Sequence, residues 1–123
     1  MERKIVENEL NEDMIELIKY HLPGKYEDTL KVYENFNHQT ILYYKDGQLD
    51  AMLSYFFFDF SYDSIVVMQR DNKFNKHMWK VLRDTIDKRE KQIRVMSDPT
   101  NGALVRAAER HGGIWVGDEI IFY

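Results

Sequence analysis

The chain of 123 residues is 44% hydrophobic and 14% aromatic, enough to fill one core, so it reads as a single domain and not as a disordered segment. It has no cysteine, which excludes disulfides, thiolate metal sites and thiol catalysis, and its longest apolar run, around Leu53–Phe58, is too short to cross a bilayer. The net charge of −4 gives no overall attraction to nucleic acid, but it is uneven: residues 1–63 carry 6 basic and 13 acidic side chains, residues 64–94 carry 9 and 4, and residues 95–123 carry 2 and 4.

Arg3–Glu7 reads as a short strand. Asn11 is placed as a helix N-cap, followed by Glu12 and Asp13 where the positive end of a helix dipole favours acids. Leu10, Met14, Leu17, Ile18 and His21 share one face of that helix, and Pro23-Gly24 ends it. A second helix is predicted from Lys25 to Asn35. Gln39–Lys45 and Gln48–Phe58 then form a hairpin about the Asp46-Gly47 turn, and Asp63–Gln69 extends it into a meander. The period changes at Phe74, which with Met78, Val81, Leu82, Thr85 and Ile86 makes an amphipathic helical stripe. Lys91–Ser97 is a strand. Asp98-Pro99 opens a last helix with Leu104, Ala107, Ala108 and His111 inward, Gly112-Gly113 stops it, and Ile114–Val116 and Glu119–Tyr123 are terminal strands. The order is β-α-α-β-β-β-α-β-α-β(β), an α/β (α+β) chain with a mixed central sheet and helices on both faces. The helical crossover calls for Lys91–Ser97 to run parallel to Asp63–Gln69.

Residues 70–75, Arg-Asp-Asn-Lys-Phe-Asn, follow the meander and open the amphipathic helix, and in NGALVRAAERHGG Asn101 precedes Gly112 by eleven positions. With the element order, these features resemble the Gcn5-related N-acetyltransferase (GNAT) superfamily over nearly the whole chain, and more loosely small GNAT-like proteins of tailed bacteriophages. In that family a Gln/Arg-x-x-Gly-x-Gly/Ala loop and the following helix hold the pyrophosphate of acetyl-CoA, through orphan backbone N–H groups and the positive end of the helix dipole. Arg70 matches the first position, while Lys73 and Asn75 replace the two small residues. The resemblance implies acetyl-CoA as co-substrate, an amine as acceptor, and a binding set of Met68, Gln69, Arg70, Lys73, Phe74, Asn75, Lys76 and Asn101. It also implies a carbonyl-polarising backbone N–H around Met68. The family's Tyr acid, seven residues after the Asn, is Ala108 here, and the aromatic after the glycine is Gly113. Weak acetyl transfer is therefore expected, which Ala108→Tyr should raise.

Candidate bases are carboxylates near the diverging strands, Asp59, Asp63 and Glu34, and Tyr62 or Tyr55 is a substitute proton donor; Asp59 and Tyr62 are the pair selected. The dense run Tyr55, Phe56, Phe57, Phe58, Phe60 and Tyr62 reads as a sheet covered on both faces, or as an aromatic acceptor groove or protein interface. His21, His38, His77 and His111 offer no i, i+4 pair, so no metal is expected, and His111 reads as a core or cap residue. The basic stretch from Arg70 to Arg94 carries no nucleic-acid-binding signature. The alternative function is a GNAT-fold binding or structural protein without catalysis, with a protein partner. The N-terminus has no apolar stretch of a signal peptide, so the expected location is cytoplasmic, or a host cytoplasm or virion if the chain is phage-encoded.

Overall fold

The computed structural model describes residues 2–70, 75–96 and 102–123, and the side chains of all of these except 102–104. The elements run β1 (Glu2–Glu7), α1 (Glu12–His21), α2 (Tyr26–Asn35), β2 (His38–Lys45), β3 (Gln48–Phe56), β4 (Tyr62–Gln69), α3 (Lys76–Asp87), β5 (Gln92–Met96), α4 (Gly102–Arg110), β6 (Ile114–Val116) and β7 (Glu119–Phe122). They build a seven-stranded sheet in the order β1-β2-β3-β4-β5-β7-β6. Neighbours are antiparallel except β4 and β5, which are parallel and joined by the α3 crossover, as the sequence predicts.

The strands divide their side chains between two cores, as a period of two requires. On one face Met52, Phe56, Val66 and Met68 pack with Met14, Leu17 and Ile18 of α1 and Tyr33 of α2. On the other, Leu53, Ile65 and Val67 meet Met78, Leu82 and Ile86 of α3, together with Ile93, Val95, Ile120 and Phe122. Helix α1 starts where expected, because the Asn11 side chain accepts from the Met14 N–H at 3.0 Å and Glu12 and Asp13 fill the first turn. A buried polar link crosses the first core, with the Ser54 hydroxyl bonded both to the Tyr33 hydroxyl and to Thr40 Oγ1.

Three local readings differ from the structure. Strand β3 ends at Phe56 and not Phe58: the Phe57 N–H adds one more in-register bond, to the Asn37 carbonyl, and the Phe58 N–H then leaves the ladder for the Asp63 carboxylate, both at 3.0 Å. Lys25 is the cap of α2 and not its first residue. His111 is no core residue: it is exposed, 3.8 Å from Asp87 and edge-on to Trp79. Helices cover the sheet unevenly. Helices α1 and α2 cover the β1–β4 side of one face, while beyond them Met96, Ile114 and Val116 are exposed.

Candidate active site

The parallel ladder is described up to Met96, and residues 97–101 lie outside the described residues. Its last described rung pairs Val66 with Met96, while β4 continues against β3 to Gln69. The Arg70 N–H donates to the Asp50 carbonyl at 2.8 Å, which fixes the parity of the β3–β4 ladder. Residues 64, 66 and 68 turn their backbone groups to β3, and residues 65, 67 and 69 turn theirs towards β5. Past the last described rung, the backbone groups of Val67 and Gln69 point to the β5 side of β4, towards the gap at the end of the described ladder. Met68 sends its amide to β3 and its side chain to the α1/α2 side.

On that side a cavity of 480 Å³ runs along β4. Its end at the gap is formed by Met68 and Met96, by His21 and Asp28 at the α1–α2 junction, and by Asp118 and Glu119 at the start of β7. Glu119 belongs there because it pairs with Met96 across the β5–β7 ladder. The far end is apolar and aromatic, with Val32, Phe56, Phe58 and Tyr62. Four residues of strand separate Tyr62 from Val66, about 13 Å. Among the described residues the lining holds three carboxylates and a histidine, and no Lys or Arg. Arg94 stands at the edge, its guanidinium 3.8 Å above the Tyr62 ring and 3.9 Å from Glu119.

The opposite side of the gap is basic. The Asn75 side chain caps α3 by accepting from the Met78 N–H at 3.0 Å, which leaves the N–H groups of Lys76 and His77 outside the helical ladder. Lys76 is exposed at this N-terminus. His77 Nδ1 bonds to the Tyr43 hydroxyl at 2.8 Å. Burial, with the positive charges of Arg3 and Lys80, holds the His77 imidazole below its ordinary pKa, and burial pushes the Tyr43 hydroxyl up to about 12.

The residues singled out in the sequence are distributed over this geometry. Met68 lines the cavity, Gln69 borders the gap, and Asn75 and Lys76 form the α3 N-terminus. Arg70 follows β4, but its guanidinium is turned back, with Nε on the Leu49 carbonyl at 2.8 Å and Nη2 3.6 Å from Glu16. Lys73, Phe74 and Asn101 lie outside the described residues. Tyr62 is in the cavity, at the end away from the gap, and Asp59 is on the exposed loop after β3, outside the lining. Asp63 is buried and locked by the Tyr55 hydroxyl, the Phe58 N–H and Lys91. Burial and the bond to Asp63 push the Tyr55 hydroxyl up, which makes it a poor proton donor. Ala108 is packed into the core between α3, α4 and the sheet, so its side chain does not open to the gap. Asp28, Asp118 and Glu119 were not legible as site residues, since only the sheet order carries β7 beside β5.

The backbone matches solved structures over nearly its full length. An acyl-CoA N-acyltransferase from Pseudomonas aeruginosa superposes with a TM-score of 0.67 at 12% identity, covering 98% of this chain and 96% of that one. This protein has the GNAT fold. Tetrahymena GCN5 gives 0.60 at 9% identity over 98% and 94% of the two chains, and Escherichia coli YhhK, solved with coenzyme A, gives 0.61 at 9% over 99% and 98%. No protein-family model matches the sequence, and no curated protein sequence matches it. The GNAT architecture thus persists here where sequence likeness has faded.

Proposed function

We propose that the protein is an N-acyltransferase that takes an acyl group, acetyl in the simplest case, from acyl-CoA and passes it to a primary amine in the cytoplasm. The observation that carries this reading is the sheet order, with β4 and β5 parallel, beside a cavity that runs along β4 and is lined by Met68 and Met96. The donors present suit an acyl-CoA. Backbone groups of Val67 and Gln69 at the gap fit the amides of a pantetheine arm. The α3 N-terminus and Lys76, with Lys73 in the preceding loop, fit the phosphates. When bound, acetyl-CoA supplies a thioester whose carbonyl carbon accepts the amine nitrogen, the C–N bond forming as the C–S bond breaks and the thiolate leaves. The chain orients the amine from the cavity side. Asp118 and Glu119 at the gap draw a cationic amine and take up the proton it must lose before its lone pair can attack. The family's tyrosine acid is absent, its position being the buried Ala108, so turnover is slow.

A second reading, a GNAT-fold binding protein without catalysis, is favoured by one observation, the burial of Ala108 where the family's acid would stand. One experiment separates the two. Acetyl-CoA and CoA should both raise the melting temperature, since a ligand that binds only the folded state stabilises it. Slow release of CoA in the presence of an amine then supports transfer, and stabilisation with no release at any amine concentration supports the second reading. No stabilisation by either nucleotide removes the acyl-CoA site.

A further inference from the structure

We propose that the acceptor is an elongated primary amine with an aromatic or alkyl body and one hydrogen-bonding group along its length, held at that group by Ser64. This rests on the acyltransfer reading for the identity of the reacting nitrogen, but the cavity argues for the ligand's shape and charge by itself.

Three features converge. The first is polarity along the cavity: Asp28, Asp118 and Glu119 are at the gap, and Phe56, Phe58, Val32 and Tyr62 are at the far end. A cation at one end and an apolar body behind it satisfy both, because Arg94 offsets Glu119 while Asp28 and Asp118 have no ion-pair partner among the described residues. The second is Ser64. It lines the cavity, is only 6% exposed, and its hydroxyl has no hydrogen-bond partner among the described residues. The hydroxyl is open to the cavity, since no buried side-chain polar atom among the described residues lacks a partner, and a ligand group can bond to it there. The third is spacing. Ser64 lies two residues before Val66 on the same face of β4, about 7 Å from the last rung. The ligand's polar group should sit about that far from its amine.

Calorimetric titration of the full chain without nucleotide tests this with four probes: 5-phenylpentylamine, N-(3-aminopropyl)benzamide, 5-phenylpentanol and 1,5-diaminopentane. The two phenyl amines should bind, the benzamide roughly 2- to 10-fold more tightly because its amide reaches Ser64. The alcohol, lacking the cation, and the diamine, lacking the apolar body, should bind at least about fivefold more weakly. Ser64→Ala should erase the advantage of the benzamide and leave 5-phenylpentylamine unchanged. Asp28→Asn with Asp118→Asn should weaken both phenyl amines and leave the alcohol unchanged. Equal binding of amine and alcohol, or a benzamide advantage that survives Ser64→Ala, overturns the proposal. A separate arm with acetyl-CoA reports on the transfer reading, so selective amine binding without any acetyl-CoA binding would keep the cavity's preference and remove the reaction.

Discussion

The Lys91 ammonium sits 2.9 Å from the Asp63 carboxylate and donates to the Phe58 carbonyl at 2.8 Å, so one ion pair fastens the β3–β4 loop to the start of β5. Asp63 also accepts from the Tyr55 hydroxyl and the Phe58 N–H. The parallel ladder begins at this point, with Tyr62 opposite Gln92 and Asp63 opposite Ile93. An acid that looked free for base chemistry in the sequence therefore holds the start of the parallel β4–β5 pairing.

Burial alone raises the pKa of Asp63, but bonds from Tyr55, Lys91 and the Phe58 N–H, with the Lys91 charge, outweigh it and hold the carboxyl below its usual value. Below that usual value the unfolded chain takes up the proton first. The stabilisation is therefore complete above the ordinary carboxylate range and is lost as pH falls through the lower, folded value. Asp63→Ala, which also strands the Tyr55 hydroxyl, should cost about 1–3 kcal/mol in urea denaturation at neutral pH. Asp63→Asn should lose less stability than the parent between about pH 5 and pH 2. Equal acid sensitivity of the two proteins would show that Asp63 is not ionically held.

Gly113 is needed for space. A Cβ there would lie 2.5 Å from the Ile120 side chain and 2.8 Å from the Phe122 ring, both deep in the core. Overpacking of this kind costs about 1–3 kcal/mol, so Gly113→Ala should lower the denaturation midpoint accordingly. No destabilisation in the variant would mean that α4 and β7 are more loosely packed than they are here.

Ala108→Tyr should not create a proton donor. Ala108 is 1% exposed and surrounded by the α3/α4 core, so the ring must displace packed side chains before its hydroxyl reaches the gap. The expected result is a lower melting temperature with no gain in CoA release. A stable variant that releases CoA faster would place the α4 face towards the gap and restore the expectation from the family pattern.

Much of the architecture was legible because it rests on local chemistry: the Asn11 cap, the Asp46-Gly47 turn, the alternation through β3 and β4, and the amphipathic stripe of α3. The parallel pairing followed from the crossover. The site was less legible, for physical reasons. Arg70 looks available in the sequence, but the Leu49 carbonyl and Glu16 claim its guanidinium, and both come from elements distant in the chain. Phe57 and Phe58 have strand-like composition, and the pull of the Asp63 carboxylate on the Phe58 N–H takes the chain out of the β2–β3 ladder. Asp118 precedes and Glu119 opens a predicted terminal strand, and neither points to a site until β7 is placed between β5 and β6. The unpartnered hydroxyl of Ser64 has no signature in sequence at all.

The last prediction concerns the phosphates and is designed so that folding cannot mimic the result. Lys76 occupies the first position of α3, and that first turn contains no acid. A carboxylate there would meet the positive end of the helix dipole and should stabilise the fold by about 0.3–1 kcal/mol. The same change places a negative charge where the α3 N–H groups and Lys76 would face phosphate. Lys76→Glu should therefore raise the melting temperature of the free protein while weakening CoA binding, and adding Lys73→Glu should abolish binding. In the parent, affinity should fall as salt rises, since exposed charges are screened over about 10 Å at 0.1 M. A neutral ligand of the acceptor cavity should bind parent and variants alike, because that cavity lies on the other side of the sheet from α3. Undiminished CoA binding by the doubly reversed variant would move the phosphate site away from the start of α3, and with it the way CoA lies across the gap between β4 and β5.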